Sequence, residues 1–166
     1  MASQHKNLSD FAHLEVSSAA PYRFGIVVSQ WNAEVTEPLL NGAFAALVKH
    51  GAAEEHIQVI QVPGSYELTN GADILFRNTQ LDAVICLGCV IQGETKHFDF
   101  ICSAVAHGIT QVALKHNKPA IFGVLTTDTL QQALDRAGGK HGNKGEEAAI
   151  TAIQMAHLSA TLPKQQ

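Results

Sequence analysis

Charge, long apolar runs, cysteine and aromatic residues are all scarce in this 166-residue chain, and each scarcity excludes something. Charged residues make up 16% of it, and 11 basic against 15 acidic side chains leave a formal charge of -4. No global positive field exists to hold a nucleic acid or an anionic membrane, so any anion must be met locally. No apolar run approaches the length needed to span a bilayer, and the opening MASQHKNLSDFAHLEVSS lacks the apolar core of a signal peptide. A soluble, cytoplasmic protein is expected. Three cysteines, an odd number, do not build a disulfide scaffold and suit a reducing compartment. Cys86 and Cys89 form a C-x-x-C, but DAVICLGCV reads as a buried strand, where residues three apart face opposite sides of the sheet. Aromatics amount to 6%, with one tryptophan, so the position of Trp31 on a polar stretch is notable.

What is present is regular alternation. FGIVVS, HIQVIQV, DAVICLG and PAIFGVLTT are apolar, β-branched runs, and each is followed by a helical pattern, the last by two. Such alternation means parallel strands with crossover helices, here a three-layer α/β/α sandwich on a four-stranded parallel sheet of flavodoxin-like type. A chain this long buries ~70% of its unfolded surface, enough for one core. In the first helix Val35, Leu39, Leu40, Ala43, Phe44, Leu47 and Val48 share a stripe, and Gly51 supplies the stop. Asp128 and Gln131 have capping-box spacing, and Ala149, Ala152, Ile153 and Ala156 form the buried seam of the last helix. Residues 1–20 stand outside the alternation as an N-terminal extension to a single domain, 21–166. Its FAHLEV is either a short strand that pairs with a neighbouring subunit's sheet or a frayed terminus.

Open parallel sheets bind ligands at the carboxyl ends of their strands, where helix N-termini and loops converge. After the first strand comes Trp31, which either packs on its own domain or offers a flat face to a heterocycle. After the second, PGSYE sets backbone donors beside Glu67; it is either a capped turn or a grip for an amide-like ring or polyol. After the third, GETKHFDF allows close backbone approach at Gly93, a cap at Thr95 and an anion-attracting helix start. His97 in that first turn can exchange protons near neutral pH, or be one surface histidine among nine. As metal ligands these histidines fail, since no H-x-x-x-H or cysteine cluster supports them and His97 and Asp99 fall on different helix faces.

The fourth strand leads to RAGGKHGNKG. It is no Walker loop: five residues after Gly138 and Gly139 stand Asn143 and Lys144, and Gly145 follows where a hydroxyl is required. Nor does it follow a strand directly, as a dinucleotide loop must; it links two helices. A solvated turn explains it, with Arg136 serving the helix C-terminus. The alternative is a phosphomonoester site gripped by the planar Arg136 fork.

VPGSYE, GCVIQGETKHFDF, IFGVLTT and DRAGGKHGNKG, in this order, resemble the lumazine synthase family from about Arg23 to Leu158. The resemblance implies a condensation of 5-amino-6-(ribitylamino)uracil with 3,4-dihydroxy-2-butanone 4-phosphate to 6,7-dimethyl-8-ribityllumazine, with no metal or organic cofactor. It implies that Trp31 stacks on the pyrimidine and that Gly64, Ser65, Tyr66, Glu67, Val90 and Ile91 hold ring and ribityl chain. Glu94 and Thr95 would meet the phosphate and His97 would shuttle protons. From a neighbouring subunit Phe122 would close the stack and Arg136 would clamp the phosphate, with Lys144 nearby. Trp31 stands where phenylalanine is commonest, Ser65-Tyr66 where Ala-Phe is, and Gln92 where a basic residue is frequent; Glu94 is trusted for its backbone rather than its side chain. Relatives form pentamers or sixty-subunit icosahedral shells, and the short Gly138 to Asn143 linker points to the shell. Riboflavin synthase is a candidate partner; nucleic acid and membrane are not.

Overall fold

A computed structural model of the chain describes residues 15–162. Strand β1 (Phe24–Ser29) is buried at every residue, as a central parallel strand covered on both faces must be. It is followed by α1 (Ala33–Lys49), β2 (Ile57–Val62), α2 (Leu68–Asn78), β3 (Ala83–Ile91), α3 (His97–His116) and β4 (Ala120–Thr127). Helix α4 (Leu130–Asp135), a ribbon of β5 (Ala137–Gly139) and β6 (Gly142–Asn143), and α5 (Lys144–Thr161) complete the order. The main sheet runs β2-β1-β3-β4 with every pairing parallel. The three-layer, flavodoxin-like architecture expected from the alternation is therefore present.

Two cores lie on the two faces. One unites Ile26, Val28, Ile85, Leu87 and Cys89 with Leu39 and Leu47 of α1 and Ile153 of α5. The other unites Val27, Val84 and Cys86 with Leu68 and Leu75 of α2 and Val105 and Ile109 of α3. Strand residues alternate between them, which puts Cys86 and Cys89 on opposite faces. Burial pushes their thiols up to about 12 and about 11, so neither is a ready thiolate.

Several local expectations shift. On α1, Val35, Leu39, Ala43 and Leu47 are buried, joined by Ala46, and Leu40 and Phe44 pack half-buried against the same core, so that of the expected stripe only Val48 is exposed. Gly51 ends the helix with φ +100. The cap of α4 lies one residue later than Asp128, at Thr129, whose hydroxyl accepts from the Gln132 N–H at 3.3 Å. Gln132 reaches back to the Asp128 N–H at 2.8 Å in place of Gln131. The linker RAGGKHGNKG is not a plain turn but carries the antiparallel β5–β6 ribbon. Most of FAHLEV lies outside the described residues, and its last two, Glu15 and Val16, are not in a strand.

Candidate functional site

The order β2-β1-β3 means that the chain leaves β1 to one side, returns, and continues on the other. Loops after β1 and β3 therefore diverge at the carboxyl ends, where open parallel sheets bind their ligands. Trp31 and the GETKH segment occupy those two loops.

The rim is stitched by hydrogen bonds. Gln30 N–H donates to the Val62 carbonyl at 2.9 Å and Trp31 N–H to the Pro63 carbonyl at 3.1 Å, which ties the loop after β1 to the loop after β2. Asn32, in the left-handed conformation at φ 59, donates its Nδ2 to the Cys89 carbonyl at 3.1 Å. The buried Ser65 hydroxyl donates to the same carbonyl at 3.3 Å. Two loops thus meet on one peptide of β3. The Trp31 indole lies over Gly64: a Cβ there would sit 2.6 Å from Cε3 and 2.8 Å from Cζ3, so only glycine admits the ring this close. With 68% of its surface exposed, Trp31 is not the self-packed residue that a lone loop tryptophan usually is. The Glu67 carboxylate folds back to accept from Gly64 N–H at 3.0 Å, while Tyr66 points outward.

At the end of β3, Val90 and Ile91 are half-buried and Gln92 N–H extends the ladder to the Thr127 carbonyl at 2.8 Å. Gly93, Glu94 and Thr95 are exposed. The Thr95 hydroxyl accepts from His97 N–H at 3.3 Å, but the N-cap of the helix is Lys96, one residue later than expected and without a side-chain cap bond. His97 opens α3, a helix of 20 residues, with its ring in solvent and the N-terminal end of the helix dipole beneath it. Trp31, Gly64, Ser65, Glu67, Val90, Ile91, Glu94, Thr95 and His97 are thus brought to one edge of the sheet.

Phe122, Arg136 and Lys144 share no hydrogen bond or ion pair with these rim residues. Phe122 pairs with Cys86 in register, whereas Val90 pairs with Thr126; four residues of strand put Phe122 about 13 Å below the rim. It is 37% exposed on the edge strand. Arg136 and Lys144 flank the β5–β6 ribbon, and both are engaged by Glu147 of α5. The tip of the ribbon, Gly138 to Lys140, is solvated as a bland turn would be, but its ends are locked.

A groove of about 620 Å³ between α2 and α3 shares only Tyr66 with this rim. Its far end holds Asp73, bound by Arg77, Lys115 and His116. Among the described residues no group of three or more His, Cys, Asp or Glu comes together as a metal site. Two residues escaped the sequence reading. Asn32 announces itself only as an asparagine next to the lone tryptophan, a residue type that tolerates positive φ. Glu147 looks like an ordinary first-turn acid on a helix.

Fold and rim together define a doubly wound α/β protein whose polar and aromatic loop residues gather at its strand ends. The chain belongs to the 6,7-dimethyl-8-ribityllumazine synthase family, whose model matches residues 21–160. It is 60% identical over 155 residues to the 6,7-dimethyl-8-ribityllumazine synthase of Cytophaga hutchinsonii, covering 93% of this chain and 97% of the relative. The enzyme of the same name from Parabacteroides distasonis is 54% identical over 160 residues, 96% and 100% of the two chains. That of Phocaeicola vulgatus is 49% identical over 166 residues, 100% and 99%.

Proposed function

We propose that the chain condenses 5-amino-6-(ribitylamino)uracil with 3,4-dihydroxy-2-butanone 4-phosphate to 6,7-dimethyl-8-ribityllumazine, releasing phosphate and water in riboflavin biosynthesis. The observation that carries the reading beyond family membership is the division of the residues into two sets. Trp31 over Gly64, the Ser65 to Glu67 turn, Val90, Ile91 and the His97 helix start share one rim. Phe122 lies four strand positions down β4 from it, and Arg136 and Lys144 are tied to Glu147 instead. Two such half-sites become one site when a second copy docks its β4 edge and ribbon over the rim of the first.

In that site Trp31 and the partner copy's Phe122 stack on the pyrimidine, and Gly64, Tyr66, Glu67 and the Val90-Ile91 backbone hold ring and ribityl chain. The 5-amino group of the pyrimidine attacks the ketone of the phosphate-bearing substrate, and the ketone oxygen leaves as water to give an imine. Positioning is the main demand of that step, and effective molarity supplies ~7–11 kcal/mol. His97 moves the proton adjacent to the departing phosphate. The α3 N-terminus, with Thr95 and the Glu94 backbone, and the partner copy's Arg136 and Lys144 stabilise the developing phosphate charge. Ring closure with loss of water reuses the same histidine.

The assembly that fits is a pentamer, twelve of which form a sixty-subunit shell in the cytoplasm, with riboflavin synthase as partner. Residues 1–20 serve it as an extension to a single domain, 21–166. The test is to mix the two substrates with the protein and follow lumazine absorbance and fluorescence together with phosphate release. Equal formation of both products above the spontaneous rate is expected. A rate no higher than the uncatalysed one refutes the activity.

A further inference from the structure

Arg136 is held from two sides within its own chain. Its Nη2 donates to Oε1 of Glu147 at 2.8 Å and to Oε2 at 3.1 Å, and its Nη1 donates to the His141 carbonyl at 2.7 Å. The same carboxylate accepts from Lys144 Nζ at 3.3 Å. The Arg136 and Glu147 side chains are only 14% and 12% exposed. Lys144 N–H also donates to the Arg136 carbonyl at 2.8 Å, which clamps the two ends of the β5–β6 ribbon together. One carboxylate therefore gathers two cations that would otherwise repel.

We propose that Glu147 is a positioning residue for the reaction: it fixes the Arg136 guanidinium and the Lys144 ammonium side by side, aimed as a pair at the phosphate of the butanone substrate. This rests on the reading of Arg136 as the phosphate clamp. A pair this shielded is a poor source of net stability, because desolvation offsets the attraction; what it fixes is geometry. The guanidinium has five N–H donors, and the three contacts to Glu147 and His141 leave capacity for an anion.

The sign of the effect separates this role from two others. As a bare negative charge near a phosphate, Glu147 would weaken anion binding, and its removal would lower the KM for the phosphate substrate. As a structural brace alone, it would alter the unfolding temperature and leave both KM values in proportion. As a positioning residue, its loss raises the KM for one substrate only.

The experiment is steady-state kinetics on Glu147→Ala and Glu147→Gln, well below the unfolding temperature, with inorganic phosphate as a competitive inhibitor. Glu147→Ala is expected to raise the KM for the butanone phosphate and the inhibition constant of phosphate roughly ten- to a hundredfold, with the pyrimidine KM moving less than about twofold. Glu147→Gln, which keeps one acceptor oxygen, should fall between wild type and Ala, and it carries the test if the Ala variant does not fold. Adding Glu147→Ala to Arg136→Ala should cost less than the sum of the two single changes, since only the positioning of Lys144 is then left to lose. An unaffected Arg136→Ala variant removes the phosphate clamp itself and this proposal with it. If Arg136→Ala is impaired while the Glu147 variants bind phosphate as well as wild type or better, or the double variant is additive, the clamp stands and the positioning role is refuted.

Discussion

Among the described residues, Asp73 is the most strongly perturbed carboxylate. Lys115 and His116 hydrogen-bond its Oδ1 at 2.7 and 2.8 Å, and Arg77 meets Oδ2 at 2.9 Å. Those bonds, Lys115 first and His116 second, outweigh desolvation and hold its carboxyl at about 2 instead of 3.8. A folded-state value below the unfolded one stabilises the protein above about 3.8, and the benefit is lost as pH falls through about 2. Because Lys115 and Arg77 are themselves well exposed, solvent screening reduces the effect to about 1–2 kcal/mol. Asp73→Asn should therefore unfold at lower temperature than wild type at neutral pH. The gap should close in melts taken across pH 3.8 to about 2; a gap that persists unchanged there would mean the charge contributes nothing.

Between elements, the contact of α1 with α5 decides how the ribbon is presented. Asn143 caps α5 through Oδ1, which accepts from Gly145 N–H at 2.8 Å and Glu146 N–H at 3.3 Å. Its Nδ2 donates to the Pro38 carbonyl in α1 at 2.9 Å. A Cβ on Gly145 would overlap the Leu39 carbonyl of the same helix. Losing the Asn143 cap in Asn143→Ala is expected to cost about 1–2 kcal/mol, whereas Gly145→Ala must push the α1 and α5 backbones apart and should cost several kcal/mol, on the order of 3 or more. Urea unfolding midpoints check both, and a Gly145→Ala protein as stable as Asn143→Ala would show that the helices separate freely. This lock was not legible in RAGGKHGNKG, because four glycines fit a turn, a loop or a ribbon equally well and nothing local marks what Asn143 touches. The one-residue error at α4 has a similar cause: Asp128 and Thr129 are both good caps, and only backbone direction chooses between them.

For the whole molecule, the sheet and its order of helices were readable because buried parallel strands impose unbroken apolar runs and the crossovers impose helical periodicity. Trp31, the Gly64 to Glu67 turn and His97 were readable because each follows a strand, where ligands gather. Asn32 and Glu147 were not, since the partners that define them are distant in sequence or generic in type. What the fold adds is Phe122 four positions down β4 from the rim and Arg136 tied to Glu147, and on the proposed shared site that has an assembly-level consequence. Trp31→Ala and Arg136→Ala variants, each impaired alone, should regain activity when denatured together and refolded as mixed oligomers. About a quarter of the interfaces would then join two intact halves. Separately refolded and then mixed samples are the control, and no recovery in the mixed oligomers would place both residues in one subunit's site.

Trp31 has one more consequence. It is the only tryptophan of the chain and it stands largely in solvent over Gly64. Indole emission therefore reports a single location, with no background from the core. With the proposed site, a shift or quenching of that emission should follow both the arrival of an aromatic ligand and the docking of another subunit, which would make the wild-type protein its own label-free optical sensor for occupancy and assembly.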